Sequence, residues 1–257
     1  MRQSVTTLAD FYASRRGRAV LAMTLRRLHA LWPHLEGRDI LGYGYALPFL
    51  KTYEKNAARI IHAMPQGMGA QAHETPRGNC SVMTTGRQLP FMPGAFDRVL
   101  VMHGLEEAAN MAALLKELWR VMAPEGRVVI VAANRAGLWA RSDKTPFGAG
   151  RPFSGAQLSK ALTLAGFETL ARAGALYCPP FNRLCGARSA GVFEKFGETV
   201  WPGFSGLVLV EAIKRHYVGT DSREKKRILQ PNFKGALGAS QAASTGQGPK
   251  EAAKING

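Results

Sequence analysis

Apolar residues near the amino terminus recur at steps of four, three and four, at Leu21, Leu25, Leu28 and Trp32. Two arginines lie between them, and Pro33 follows directly. This spacing predicts an amphipathic helix that ends before Pro33. A folded helix here argues against an organellar transit peptide, although residues 1–38 hold seven Arg against two acidic residues.

Continuous apolar runs further along the chain are typical of strands that are buried on both faces of a parallel sheet. The two clearest are Phe96–Met102 ("FDRVLVM") and Arg127–Ala132 ("RVVIVA"). A helix is predicted between them, since Met111, Leu114, Leu115, Leu118 and Met122 have helical spacing. The turn at Pro124-Glu-Gly126 ends that helix.

The same patterns predict further elements on either side of this unit. The expected strands are Arg38–Leu41, Ala58–Ala63, Phe167–Ala171 and Gly206–Ile213. Ser154 is placed to cap another helix that ends at Gly166. Residues 66–80 have little periodicity and are predicted to form a loop.

Alternating strands and helices indicate an α/β fold with a doubly wound, mainly parallel sheet. We therefore expect a helical extension at 1–37 that packs on the core and one domain at 38–218. The segment 219–257 is rich in Gly, Ala, Ser, Gln and Lys, and we expect it to be a disordered basic tail.

Composition limits the function classes. No apolar run reaches the roughly 18 to 20 residues that a membrane span needs, and the expected location is cytoplasmic. Three cysteines without metal-like spacing predict reduced thiols and no metal site. The net charge of +16 is concentrated at both ends of the chain. These basic ends suit nucleic acid or an anionic membrane surface, or they are simply solvated termini.

Glycines follow the first predicted strand in Asp39–Leu50 ("DILGYGYALPFL"), at Gly42 and Gly44. Such a loop lets the backbone approach a nucleotide-like ligand closely, where a side chain would obstruct it. No Gly-Lys-Ser or Gly-Lys-Thr follows, so a phosphate-binding loop of the NTPase type is not indicated.

Residues 38–213 resemble the class I S-adenosylmethionine (SAM)-dependent methyltransferases, and most closely their type 11 branch. The strongest part is 89–135, where Leu89-Pro-Phe91 precedes a strand and Met122-Ala-Pro-Glu-Gly126 ends a helix. The segment "FSGLVLVEAIKR" resembles the antiparallel seventh strand of these enzymes. The resemblance implies a Rossmann-like, seven-stranded mixed sheet with helices on both faces and SAM as the cofactor.

The family usually places acidic residues at three cofactor-binding positions. Here those positions hold Ile40, then Ala63 or Met64, and then Thr85. A carboxylate that holds a ribose diol is worth roughly 1.5–3 kcal/mol per hydrogen bond, so their absence weakens the expected affinity. The implied cofactor-binding residues are Gly42, Tyr43, Gly44, Tyr45, Met64, Thr85 and Met102.

Tyr43 and Tyr45 offer aromatic faces that attract a sulfonium. Each is expected either to form a pocket wall or to pack in the core. For Tyr43, the core alternative is packing against the first helix. His103 follows the fourth strand, where an imidazole could deprotonate a methyl acceptor. The competing interpretation is a histidine that begins a helix at a polar edge, and His62 is expected to be structural.

The segment 134–154 combines basic and aromatic residues with three glycines, which is typical of a lid loop. Its candidate substrate contacts are Asn134, Arg135, Trp139 and Arg151, and Arg151 suits an acidic group. The alternative is an ordinary surface crossover. A second loop, from Cys178 through "NRLCGARS", is expected to fold over the same edge.

The leading hypothesis is a SAM-dependent methyltransferase that acts on a small-molecule acceptor. The alternative is a catalytically degenerate relative that binds a protein or RNA partner through its basic ends. A nicotinamide-dependent reductase is less favoured, because the second strand lacks the acidic residue or Arg that the ribose or its phosphate requires.

Overall fold

The computed structural model describes residues 3–76, 78–106, 108–180 and 204–215. The α-helices in these ranges are Val5–Ala13 (α1), Arg15–Leu31 (α2), Leu47–Leu50 (α3), Met111–Val121 (α4) and Gly155–Leu164 (α5). Short 3₁₀ turns occur at Lys51–Tyr53, Leu138–Arg141 and Pro146–Gly148. The predicted tail at 219–257 and the "NRLCGARS" part of the second loop lie outside the described residues.

The strands of the described ranges form one large sheet and one hairpin. The large sheet contains Asp39–Gly44 (β1), Arg59–Pro65 (β2), Ser81–Thr84 (β5), Phe96–Met102 (β6), Met122–Ala133 (β7), Glu168–Ala175 (β8) and Leu207–Ile213 (β9). The hairpin pairs Glu74–Thr75 (β3) with Gly78–Asn79 (β4) in antiparallel fashion.

The large sheet has the order β5-β2-β1-β6-β7-β9-β8. The first five strands in this order are parallel, and β9 runs antiparallel to both of its neighbours. The expected seven-stranded mixed sheet is therefore confirmed. Strand order reverses between β1 and β6, which is where ligands bind in doubly wound sheets.

Helices cover both faces of the sheet because successive strand residues point to opposite sides. Ile40 of β1 belongs to the core cluster that contains residues of α1, α2 and α3, whereas Leu41 belongs to the cluster of α4 and α5. The predicted helix is part of α2, and Trp32 directly after it donates a 3.0 Å hydrogen bond from Nε1 to Glu211 of β9.

The structure differs from the sequence-based prediction at the first glycines. β1 was expected to end at Leu41, but it continues through Gly44. Gly42 still pairs with His62 and Leu100 on the neighbouring strands. The chain stays extended because the bend comes only at Gly44, where φ reaches +82°.

Two further predictions need correction. Residues 66–80 are not wholly loop, since they contain the β3–β4 hairpin. Cys80 is a free thiol, but Cys178 is disulfide-bonded, so the expectation of reduced thiols is wrong for Cys178. In the ranges that the structure describes, no helix combines the length and the apolar character that crossing a bilayer requires.

Candidate functional site

A cavity of about 270 Å³ lies at the carboxyl ends of β1, β2 and β6. We call it the sheet-edge cavity. Its walls include Tyr43 at the end of β1, Pro65 at the end of β2, Thr85 after β5 and His103 after β6. It lies at the point where the strand order reverses, as expected for a ligand site in such a sheet.

A larger cavity of about 670 Å³ lies between α1 and residues 143–146. We call it the α1 cavity. Its described lining carries charges of both signs, from Asp10, Arg15, Arg16, Asp143 and Lys144. A polar, charged lining suits a hydrophilic ligand better than an apolar one.

Gly44 closes the space between β1 and β6. A Cβ at this position would lie 2.2 Å from the carbonyl oxygen of Met102 and 2.8 Å from the nitrogen of Gly104. The next residue, Tyr45, donates a 2.7 Å backbone hydrogen bond to the same Met102 oxygen. The chain's own backbone therefore requires glycine here, independently of any ligand.

Gly42 is likewise enclosed by protein atoms. A Cβ there would lie 2.8 Å from Leu50 Cδ1, 2.9 Å from the Cβ of Ala46 and 3.1 Å from His62 Nδ1. Neither Gly42 nor Gly44 is among the described residues that line the sheet-edge cavity. The glycine spacing thus reflects internal packing of the strand end.

The two predicted tyrosines belong to opposite faces of the sheet. Tyr43 lines the sheet-edge cavity and lies in the α4–α5 core cluster, and its burial raises the pKa of its hydroxyl to about 12. Tyr45 stacks on Tyr12 of α1 with 5.8 Å between the ring centroids. Tyr45 therefore packs against the first helices, and Tyr43 forms part of the cavity wall.

His103 lines the sheet-edge cavity and also contacts α1. Its backbone has φ +54°, a left-handed conformation that histidine tolerates better than most residues. Its Nε2 lies 2.7 Å from the hydroxyl of Tyr12, in a buried hydrogen bond. Burial lowers the pKa of His103 to about 3, so the imidazole is neutral at pH 7. The helix-initiating interpretation is wrong, because α4 begins only at Met111.

An aromatic cluster fills the region between the two cavities. The His103 ring lies 5.0 Å from that of Phe147, and Phe147 contacts both Trp139 and Phe11 edge-on. Phe11 in turn lines the α1 cavity. The cluster separates the cavities by packed rings, so a group that passes from one to the other must displace an aromatic side chain.

Three other predicted cofactor positions have different environments. Thr85 is exposed and lines the sheet-edge cavity. Met64 is fully buried, and its sulfur accepts a 3.3 Å hydrogen bond from the backbone of Gln71. Met102 is also buried and contributes its carbonyl to the Gly44–Tyr45 turn. Of these three, the structure places only Thr85 on the cavity wall.

The predicted substrate residues divide into buried and exposed pairs. Asn134 is buried and donates to Ser205 Oγ at 3.2 Å, while Trp139 is buried and donates to the carbonyl of Cys178 at 2.7 Å. Arg135 and Arg151 are exposed. The guanidinium of Arg151 lies 5.8 Å from the centroid of the Phe153 ring. None of the four is among the residues that line the two cavities described above.

Sequence reasoning missed Tyr12 and residues 143–146. The Tyr12–His103 contact joins positions 91 residues apart, so no local pattern could have predicted it. Val5, Leu8 and Tyr12 are buried at helical steps of three and four, and this signal could have predicted α1. Residues 143–146 lie within the predicted lid segment, and the structure shows which part of that segment meets a cavity.

Known proteins match the segment that forms the sheet-edge cavity. A family model described as a methyltransferase domain, of type 11, matches residues 41–130, from β1 into β7. Demethylmenaquinone methyltransferases from Mycobacterium marinum and Corynebacterium glutamicum are each 32% identical over 90 residues. That match covers 35% of this chain and 38% of each relative, so the chain matches well under half the length of these proteins.

Solved structures match over a longer range. A SAM-dependent methyltransferase from Thermotoga maritima has a TM-score of 0.59 at 16% identity, over 82% of this chain and 96% of the other. One from Archaeoglobus fulgidus has a TM-score of 0.56 at 17% identity, over 79% and 98%. At these identities the likeness shows the fold. The chain therefore has the fold of these SAM-dependent methyltransferases, and its residues 41–130 are similar to the type 11 methyltransferase domain.

Proposed function

We propose that the protein transfers a methyl group from SAM and that the sheet-edge cavity holds the adenosine end of the cofactor. The observation that carries this proposal is the position of the cavity at the carboxyl ends of β1, β2 and β6. In a doubly wound sheet this edge, beside the reversal of strand order, is where the fold leaves room for a nucleotide-like ligand.

The lining suits a nucleoside in part. Tyr43 offers an aromatic face, and the side chains of Thr85 and Gln66 offer hydrogen-bonding groups for ribose hydroxyls. Arg87 also lines the cavity and matches the carboxylate of the methionyl part, since guanidinium and carboxylate form paired hydrogen bonds. The volume of about 270 Å³ is just below the roughly 300–1,000 Å³ usual for ligand sites.

The cavity wall nevertheless lacks part of the hydrogen-bonding groups that a nucleoside requires. No Asp or Glu is found among the described residues of the cavity wall. The ribose therefore lacks a carboxylate partner, and we expect weak binding, with a Kd of roughly 10 μM to 1 mM, at the weak end of ordinary substrate affinities.

Methyl transfer depends mainly on alignment, because SAM supplies an activated methyl group and leaves as a neutral thioether. Among the described residues, His103 suits the position beside the reacting atoms, since it lines the sheet-edge cavity and is hydrogen-bonded to Tyr12. The neutral imidazole of His103 adds no positive charge next to a sulfonium, and its hydrogen bond to Tyr12 fixes the orientation of its ring. A pKa of about 3 makes His103 a weak base, so we assign it a positioning role.

The acceptor belongs, in this proposal, to the α1 cavity, and the Phe147 ring, which packs between Phe11 and His103, must move aside for the methyl group to reach the acceptor. Lys144 and Arg15 are exposed on its lining and favour an acceptor with an acidic group. Residues 143–146 then act as the covering part of the 134–154 segment. Arg135 and Arg151 remain candidates only for contacts at the surface.

Calorimetry tests the cofactor proposal. The full chain is titrated with SAM and with S-adenosylhomocysteine, and the same titration is repeated on Thr85→Trp, which fills the sheet-edge cavity from an exposed position. We expect wild-type binding within the range above and at least a tenfold weaker Kd for the variant. Gln88→Trp is the matched control, because Gln88 is exposed on the same loop but does not line the cavity.

Two results contradict the proposal. Absence of heat from the wild-type protein at millimolar ligand would exclude cofactor binding, and equal affinity of Thr85→Trp and wild type would place the site elsewhere. Folding of both tryptophan variants is checked by circular dichroism.

A second candidate function is a methyltransferase-like protein that binds a macromolecular partner and has lost the cofactor. The packing of Tyr12 favours this candidate. Its ring stacks on Tyr45 and its hydroxyl is hydrogen-bonded to His103, so these side chains fill the region beside β1. A chain of the complex between the Haloferax volcanii Trm112 methyltransferase activator and a methyltransferase also shares this fold, with a TM-score of 0.57 at 16% identity. This candidate predicts that RNA or protein binding requires residues 219–257 and that SAM gives no heat.

A further inference from the structure

Three side chains with metal-binding atoms lie close together at β2. Glu54 follows the 3₁₀ turn Lys51–Tyr53, His62 lies in the middle of β2, and His73 precedes the β3–β4 hairpin. One ligand atom from each lies within 4.8 Å of those of the other two. We propose that Glu54, His62 and His73 form a binding site for a divalent transition metal, and that zinc fits this donor set best.

His62 gives the strongest evidence. It is 1% exposed, and neither ring nitrogen has a hydrogen-bond partner. Buried polar groups are almost always paired, so an imidazole with two unpaired nitrogens requires an explanation.

Glu54 and His73 are already drawn together. Glu54 Oε1 lies 2.8 Å from His73 Nε2, but the contact lacks hydrogen-bond geometry. The rings of His62 and His73 are perpendicular, with 5.2 Å between their centroids. The three potential ligand atoms therefore lie close together, and the His62 nitrogens among them have no hydrogen-bond partner.

The backbone holds the two histidines in place. The amide of His62 donates to the carbonyl of Cys80 at 2.8 Å, and the amide of Cys80 donates to the carbonyl of His73 at 2.9 Å. Asn79 Oδ1 accepts from the amides of His73 and Ser81 at 3.2 and 3.0 Å. Little reorganisation of the chain is needed for the side chains to close on an ion.

The donor set selects the class of metal. Zinc takes imidazole nitrogens at about 2.0–2.1 Å and carboxylate oxygens at about 2.0–2.2 Å, so two ligands of one ion lie at most about 4.2 Å apart. Small side-chain rotations bring atoms within 4.8 Å to that separation. Magnesium and calcium prefer sites made of oxygen atoms and match two imidazoles poorly. Water would complete a four-coordinate zinc.

A bound ion would join the Lys51–Glu54 region, β2 and the segment before β3. None of the three ligands lines the sheet-edge cavity, so the metal site is separate from the proposed cofactor site. We therefore expect the metal to stabilise the fold rather than to take part in methyl transfer. This site was not predicted from the sequence, because positions 54, 62 and 73 follow no common metal-binding spacing.

Titration of tag-free, chelator-treated full-length protein with zinc chloride tests the site. We expect one ion per chain with a micromolar or tighter Kd, and a rise in Tm of roughly 5–10 °C when zinc exceeds Kd a hundredfold. Cobalt(II) in place of zinc should give the visible absorption of a four-coordinate ion.

Variants distinguish this site from adventitious binding. Glu54→Gln and His73→Gln change partly exposed side chains and should fold, and each should weaken zinc binding at least tenfold and abolish the rise in Tm. His34→Gln is the control, because His34 is exposed and outside the cluster. Wild-type affinity in both Glu54→Gln and His73→Gln, or no zinc binding by the wild type, overturns the proposal.

Discussion

Gly44 provides a quantitative test of what the glycines of β1 do. Alanine at this position places a Cβ 2.2 Å from the Met102 carbonyl oxygen, in a residue whose φ is +82°. The backbone conformation alone costs alanine about 1–2 kcal/mol. To relieve the contact, β1 must move away from the end of β6 and lose the 2.7 Å hydrogen bond from Tyr45 to Met102.

A lost hydrogen bond with a buried, unsatisfied group costs a further 1–3 kcal/mol, roughly. Gly44→Ala is therefore expected to lower the free energy of unfolding by about 2–5 kcal/mol. Gly37→Ala is the matched control. Gly37 also has a positive φ, +68°, but a Cβ there meets no atom within 4 Å. It should lose only the conformational part, about 1–2 kcal/mol.

Urea denaturation followed by circular dichroism measures both variants, and a change in midpoint at constant slope reports the stability difference. Equal losses in Gly44→Ala and Gly37→Ala would refute the reasoning, because the contact with Met102 would then contribute nothing. A reduced SAM affinity with unchanged stability would instead assign Gly44 to the cofactor. If Gly44→Ala behaves as expected, substitutions at Gly44 cannot separate cofactor binding from folding.

Two further predictions concern buried polar groups. In the folded protein burial lowers the pKa of His103 to about 3, whereas in the unfolded chain it is about 6.5. The unfolded chain therefore binds a proton that the folded protein does not as pH falls from 6.5 to 3. The free energy of unfolding falls over this range by up to about 1.4 kcal/mol per pH unit. His103→Asn, which tolerates the same backbone conformation, should show a flatter profile in acid titrations of unfolding; parallel profiles would contradict this. Trp32→Phe removes the hydrogen bond to the buried Glu211 and should lower the unfolding free energy by about 1.5–3 kcal/mol in urea, while a change below 0.5 kcal/mol would show that the bond contributes little.

Sequence patterns predicted the interior of the fold well. β6 was predicted with its observed bounds, and the core of β7 was correct, because strands buried on both faces leave a continuous apolar run. Ser154 caps α5 as expected, in a capping box with Gln157. β5 was missed, since its residues are mostly exposed or half-buried and show no alternation.

The candidate site was less predictable. Tyr43, Thr85 and His103 line the cavity at the sheet edge because the ends of parallel strands share that edge, and their roles toward a cofactor or substrate stay predictions. Asn134 and Trp139 were predicted to contact substrate but have structural hydrogen bonds, since composition does not reveal which aromatic or amide groups of a long segment are buried. The contacts of Tyr12 depend on tertiary packing alone.

Hydrogen–deuterium exchange in the presence of S-adenosylhomocysteine tests the central claim most directly, since it reports both binding and its place. We expect slower exchange at 66–68, at 85–87, at 103–104 and at 108–110, the segments that contribute to the sheet-edge cavity, with no change in α5. Unchanged exchange in all four segments at millimolar ligand would contradict the central claim.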